Sequence, residues 1–230
     1  MILKSKTEVR KVFRGLLNSR SEQLASETSA ALCARLESCL DLGRAAIETG
    51  KCRPEYWAAF HPTGHEPDIR ALFSSTKLKA KIKWAFPRVE GEALEFYRPH
   101  GDERDSFVEG NWKLLEPHPE KADKVSLESL SGFLIPGLVF DKKCNRLGRG
   151  AGYYDRTLTD LHKTNPKAIK VGIAVDLQIS NEDLPAQPFD IPMDCIVTET
   201  RFFARERGGN SITGIGFGKW ADILSERKTS

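Results

Sequence analysis

The stretch FLIPGLVFDKKCNRLGRGAGYYD, Phe133 to Asp155, decides how this chain is read. Phe133–Phe140 is the most apolar strand candidate in the sequence. Asp141–Gly152 follows as a turn and glycine loop, and Tyr153–Lys163 as a helix. Gly148, Gly150 and Gly152 stand at alternating positions, so the backbone can approach a ligand unobstructed. The helix that starts behind them opens with unpaired amides and a positive dipole end, which suits an anion. Arg146 and Arg149 add fixed charge and forked donors for phosphate oxygens. The glycines by themselves would serve equally for a tight turn; the strand, the arginines and an aspartate favour a phosphate cradle. No Lys-Ser/Thr pair follows the glycines, so the loop is not a Walker A motif. It also lacks the spacing of a dinucleotide fingerprint.

Asp155 falls in the first turn of that helix. A carboxylate beside phosphate is repulsive unless a cation lies between them, and Mg²⁺ is the natural mediator. A helix start also favours an aspartate on electrostatic grounds alone. Asp190, in FDIPMD, is the second candidate ligand, or a turn residue before Pro192.

Outward from this segment, helices and strands alternate. Val9, Phe13, Leu16 and Leu17 mark a first helix. Leu24, Ala31, Leu32, Leu36 and Leu40 mark a second, over Ser21–Leu42. Strands are expected at Tyr56–Phe60, Ile82–Phe86, Leu94–Tyr97, Lys170–Val175 and, last, Cys195–Thr198. A short helix is expected over Asp68–Lys77, and mainly loop over 99–131. The alternation predicts an α/β fold: a single layered domain, its mostly parallel sheet flanked by helices. That domain spans 1–203, and 204–230 reads as a loosely structured tail.

Composition narrows the function classes. The chain has 230 residues, 40% hydrophobic and 29% charged, which is ordinary for a globular protein. A net charge of +3 does not argue for nucleic acid or an anionic membrane. There is no apolar run of about 18 residues and no signal-peptide core, so a cytoplasmic protein is expected. Five cysteines without a C-x-x-C pair fit a reducing compartment. His61 and His65 have i, i+4 spacing, but Pro62 and Gly64 keep them off a common helix face, so no metal site is assigned there. Gly214, Gly216 and Gly218 before Lys219-Trp220 have no preceding strand and are taken as tail composition.

The run from Phe133 to Leu158 closely resembles the signature of the 5-formyltetrahydrofolate cyclo-ligase family, P-G-hydrophobic-x-F-D followed by R-L-G-x-G-x-G-[YF]-Y-D. Cys144 stands where the family often has glycine. Lys6–Arg10 resembles the family's K-x-x-[LV]-R start. Glu66 sits at its glutamate, with Ile69 where threonine is usual. Phe86–Val89, Trp112–Pro117, Val171–Ala174 and Phe189–Pro192 continue the match in order, so that it covers about residues 4–202.

The resemblance implies a fold like that of the NagB/RpiA/CoA transferase-like proteins. It implies MgATP-dependent conversion of 5-formyltetrahydrofolate to 5,10-methenyltetrahydrofolate, releasing ADP and phosphate after the formyl oxygen is phosphorylated. By motif position, ATP would be held by Lys6, Arg10, Arg146, Leu147, Gly148, Arg149, Gly150, Ala151, Gly152, Tyr153 and Tyr154. The reduced folate would be held by Glu66, Trp112, Arg149, Gly150, Gly152 and Tyr153, with Arg149 as the catalytic group. Asp155 and Asp190 would hold Mg²⁺. Outside the family match, Lys6 and Arg10 make an ordinary basic helix face. A monomer acting on a small molecule is expected, with no nucleic-acid or membrane partner. Two other functions stay open: a non-catalytic folate- or nucleotide-binding regulator on the same fold, and an ATP-dependent enzyme acting on another amide.

Overall fold

The computed structural model describes residues 5–45, 55–101, 103–110, 114–187, 190–205 and 211–214. Helix α1 (Lys6–Asn18) opens with a capping box, in which Ser5 accepts from the Glu8 amide and Glu8 reaches back to the Ser5 amide. It buries Val9, Phe13 and Leu17. Helix α2 (Glu22–Ala45) follows after a short corner. Its buried stripe is Leu32, Cys33, Leu36, Cys39 and Leu40. Leu24 and Ala31, expected on that stripe, are exposed, as is Leu16 of α1.

Among the described residues, nine strands form the main sheet. In chain order they are β1 (Glu55–Ala58), β2 (Ile82–Glu90), β3 (Ala93–Pro99), β6 (Ala122–Val125), β7 (Leu130–Pro136), β10 (Ile169–Ile173), β12 (Cys195–Val197), β13 (Phe202–Arg205) and β14 (Ser211–Gly214). Their spatial order is β14-β13-β12-β10-β7-β1-β2-β3-β6. The central run from β2 to β12 is parallel throughout, and both flanks are antiparallel. The expected α/β architecture is therefore observed, with helices α1, α2 and α5 (Tyr153–Thr164) around the sheet.

Several local expectations are corrected. Cys195–Thr198 does not hold the last strand: β13 pairs with β12, and β14 with β13. Residues 99–131 are not mainly loop. They contain helix α4 (Glu103–Ser106), the hairpin of β4 (Phe107–Glu109) and β5 (Leu115–Pro117), and strand β6. Asp68–Lys77 is not one helix but a 3₁₀ turn at Arg70–Leu72 and helix α3 (Thr76–Lys79), capped by Ser75. The β2–β3 hairpin is tighter than expected, with Glu90 opposite Ala93. The apolar run from Phe133 to Phe140 is divided. Strand β7 ends at Pro136, and the chain leaves the sheet to form a small one from β8 (Val139–Asp141), β9 (Arg146–Leu147) and β11 (Ile179–Ser180).

That division positions the site. β1 lies between β2 and β7. The chain leaving β1 crosses to β2 on one side, and the chain leaving β7 crosses to β10 on the other. Loops that depart in opposite directions open a crevice at the carboxyl ends of parallel strands, where α/β sheets bind ligands. α1 packs over the small sheet through Val9, Phe13, Leu17, Leu138, Val139 and Leu147. The N-terminal helix is thereby brought against the glycine loop.

Candidate active site

The cleft at that crevice has a volume of about 420 Å³. One wall comes from the loop after β1, with Phe60, His61, Thr63, Gly64 and Glu66. The facing wall comes from Pro136, Arg146 and the run Gly148–Asp155. Pro87 and Val89 of β2, Leu94 of β3 and Leu115 of β5 form an apolar end, beside the Glu116 side chain. The cleft thus pairs a basic glycine-rich side with an apolar side.

The loop is held from beneath by Asp141. Its buried carboxylate accepts from the amides of Lys143, Asn145 and Leu184 and from the Asn145 side chain, each at 2.9 Å. Cys144, inside that turn, is fully buried with φ of 66°. Gly150 and Gly152 have φ of 117° and 77°, and Gly152 is the left-handed N-cap of α5. The left-handed backbone at Gly152 favours glycine there, whereas a Cβ would meet only the movable tip of the Arg156 side chain, at 2.8 Å.

Arg146 is anchored: its side chain is 5% exposed, it donates to the Pro136 carbonyl at 3.1 Å, and it pairs with Asp155. Arg149 reaches across the cleft. It donates to the Thr63 hydroxyl at 2.9 Å and to the Thr63 carbonyl, and pairs with Glu66 at 3.3 Å. The other oxygen of Glu66 accepts from the Thr63 amide at 2.9 Å and hydroxyl at 3.1 Å. Burial pushes the Glu66 carboxyl above the usual range, while Arg149 and the Thr63 donors oppose that shift. Tyr153 lines the cleft with Arg156 over its ring at 5.1 Å, and Tyr154 carries Arg146 at 5.5 Å.

The N-terminal helix contributes from outside the cleft. Lys6 donates to Asp190 at 2.7 Å, Arg10 to the Gly148 carbonyl at 3.0 Å, and Arg14 to the Arg149 carbonyl at 2.9 Å. Lys6, Arg10 and Asp190 are not on the cleft wall: Arg10 reaches the glycine loop, while Lys6 and Asp190 pair with each other. The side chain of Leu147 lies in the core under α1, so only its backbone faces the loop. Ile69 is fully buried in the main core, which removes the usual threonine position from the cleft. Trp112 lies outside the described residues.

Two residues of this site were not singled out for it from the sequence. Thr63 ties Arg149 to Glu66, and nothing local marks it. The sequence marks His61 only by its i, i+4 spacing to His65. It is buried against Phe86, stacked at 4.8 Å, with Phe73 and Phe107 edge-on, and neither ring nitrogen has a hydrogen-bond partner. Burial lowers its pKa to about 4.

Among the described residues, no group of three or more His, Cys, Asp and Glu side chains could hold a metal ion. Mg²⁺ needs less from a protein: one or two carboxylates, with phosphate oxygens and water completing the shell. Asp155 pairs with Arg146 through Oδ1 and Asp190 with Lys6 through Oδ2, so among the described residues each carboxylate keeps its other oxygen open to such an ion.

Comparison with known proteins agrees with this architecture. The model of the 5-formyltetrahydrofolate cyclo-ligase family matches residues 3–199. A 5-formyltetrahydrofolate cyclo-ligase of Mycolicibacterium smegmatis is 30% identical over 145 residues, which is 62% of this chain and 73% of that protein. The Escherichia coli K12 protein of that name is 36% identical over 107 residues, covering 46% of this chain and about half, 54%, of its own length. The structure of Aquifex aeolicus 5,10-methenyltetrahydrofolate synthetase superposes with a TM-score of 0.68 at 30% identity, covering 90% of this chain and 95% of that one. The Mycoplasma pneumoniae synthetase shares the fold, with a TM-score of 0.62 at 23% identity over 85% of this chain and 99% of that one. This chain belongs to the 5-formyltetrahydrofolate cyclo-ligase family and is an enzyme of that ATP-dependent ligase class.

Proposed function

We propose that this chain converts 5-formyltetrahydrofolate to 5,10-methenyltetrahydrofolate with MgATP, releasing ADP and phosphate. The observation that carries the reading is the single cleft in which Arg149, at the phosphate-type loop, meets Glu66, at the opposite wall.

The chemistry needs little more than this. An amide-type oxygen is a poor leaving group. Its attack on the γ-phosphorus forms an O–P bond and breaks the bond to ADP. N10 of the folate then adds to the activated carbon and loses its proton, and the oxygen departs with phosphate. Transfer of this kind depends on positioning and charge neutralisation. In this reading Arg146, Arg149 and the amides of Gly148–Gly152 hold the phosphates, with Lys6 and Arg10 approaching from α1. Asp155 and Asp190 would hold Mg²⁺, which would neutralise phosphate charge. Glu66 accepts hydrogen bonds from the folate, and Tyr153 offers a flat surface to its rings. Trp112 stays a candidate for such a surface by motif position. A cytoplasmic monomer acting on free reduced folate goes with this reading, and a mass measurement in solution tests its oligomeric part.

The functional test is spectrophotometric. Purified protein with 5-formyltetrahydrofolate, Mg²⁺ and ATP should produce the near-ultraviolet absorbance of the methenyl product, and omission of any one should abolish it. A flat trace from folded protein that still binds ATP would favour a regulator or another amide substrate.

A further inference from the structure

Lys6, Arg10 and Arg14 recur at i, i+4 and i+8 on α1 and share one face. Each grips an element of the site: Asp190, the Gly148 carbonyl and the Arg149 carbonyl, respectively. The third contact gives Arg149 two anchors. Arg14 holds its backbone at 2.9 Å, while its guanidinium holds Thr63 and Glu66 on the far wall. A continuous series of contacts, Arg14–Arg149–Thr63–Glu66, therefore joins α1 to the loop after β1. Behind it lies a second cavity of about 310 Å³, bordered by Arg14, Asn18, His65, Glu66, Arg149 and Gln178. On that side Arg149 borders open space, and its side chain is 43% exposed. Its placement then depends on its hydrogen bonds, and a long arginine side chain has much rotamer freedom to lose when it is used.

We propose that Arg14 is a positioning residue that couples the two substrates: by holding the Arg149 carbonyl, it keeps the Arg149 guanidinium aimed at both the phosphate site and Glu66. This deepens the proposed function and rests on it. A ligand that fixes Arg149 from the nucleotide side lowers the cost of engaging Glu66 from the folate side, and the effect is reciprocal.

The test is the dissociation constant of 5-formyltetrahydrofolate, measured by calorimetry with and without a non-hydrolysable ATP analogue and Mg²⁺. Wild type should bind folate more tightly with the analogue, by a factor within the roughly 5- to 150-fold span of coupled sites. Arg14→Gln should bring that factor close to one without lowering Tm appreciably. Arg14→Lys, which keeps the positive charge and a longer reach to the carbonyl than the neutral glutamine amide, should recover part of it. If wild type binds both ligands with no coupling, or if Arg14→Gln keeps the wild-type factor, the inference is overturned and the proposed function stands. An Arg14→Gln protein that loses Tm but keeps the factor shows a structural role only and overturns it equally. Wild type that binds no folate at all overturns the functional reading and this inference together.

Discussion

Arg146 and Asp155 face each other at the mouth of the glycine loop, and the guanidinium donates to the carboxylate. The two partners differ in freedom. The arginine side chain is 5% exposed and has a second anchor at Pro136, whereas the aspartate is 56% exposed. Asp155 can thus turn toward a cation without disturbing Arg146. Asp155→Asn should raise the Mg²⁺ concentration for half-maximal activity by at least roughly tenfold, with Tm near wild type. An unaltered Mg²⁺ dependence would remove Asp155 from the metal site.

Arg149 makes a forked contact to Thr63 while pairing with Glu66. A lysine there keeps the charge and loses the fork. Arg149→Ala should lower kcat/KM for ATP by about 10² or more, with Arg149→Lys in between. Steady-state kinetics of the two variants check this, and wild-type values for the alanine protein would exclude the role.

Cys144 has φ of 66° inside the turn held by Asp141. A non-glycine residue in the left-handed region costs about 1–2 kcal/mol. Cys144→Gly relieves that cost but removes a buried side chain, so its net effect on stability should stay within about 1 kcal/mol. Cys144→Val, which is β-branched, should destabilise by roughly 2 kcal/mol or more. Denaturant midpoints of the two variants measure the difference; equal stability would contradict the strain.

His61 has its pKa lowered to about 4 by burial, against about 6.5 for an exposed imidazole. Below pH 6.5 the unfolded chain takes up a proton that the folded chain refuses until about pH 4. Stability should therefore fall as pH drops through that window, by roughly 1.4 kcal/mol for each unit of difference between the two states. His61→Leu, which also removes two unpartnered buried nitrogens, should be no less stable at pH 7 and should flatten the profile. Chemical denaturation from pH 7 to pH 4.5 separates the two profiles. Superposable curves would show that His61 is not buried in the neutral form.

The glycine–arginine loop was legible because its determinants are local. Alternating glycines, two arginines and a helix start within a few residues state their physical use directly. The contacts that join this loop to the rest of the site were not. Arg149 meets Thr63 across 86 residues and Arg14 across 135, and no local pattern encodes such distances. The α2 stripe is as expected at Leu32, Leu36 and Leu40 and departs from it at Leu24 and Ala31, because Cys33 and Cys39 are buried like small hydrophobes in their stead. Strands β4 to β6 were missed because they are only three or four residues long and set among prolines and charges. Strand β13 follows β12 so closely that its FFA run was not separated from the pattern's decay.

In the proposed reaction the formyl oxygen is phosphorylated before the ring closes. That order is tested most directly by supplying 5-formyltetrahydrofolate carrying ¹⁸O in the formyl group, with Mg²⁺ and unlabelled ATP, and reading the released phosphate by mass spectrometry. One ¹⁸O atom should appear in the phosphate for each methenyl group formed. Unlabelled phosphate, with the ¹⁸O appearing in water while product accumulates, would contradict it.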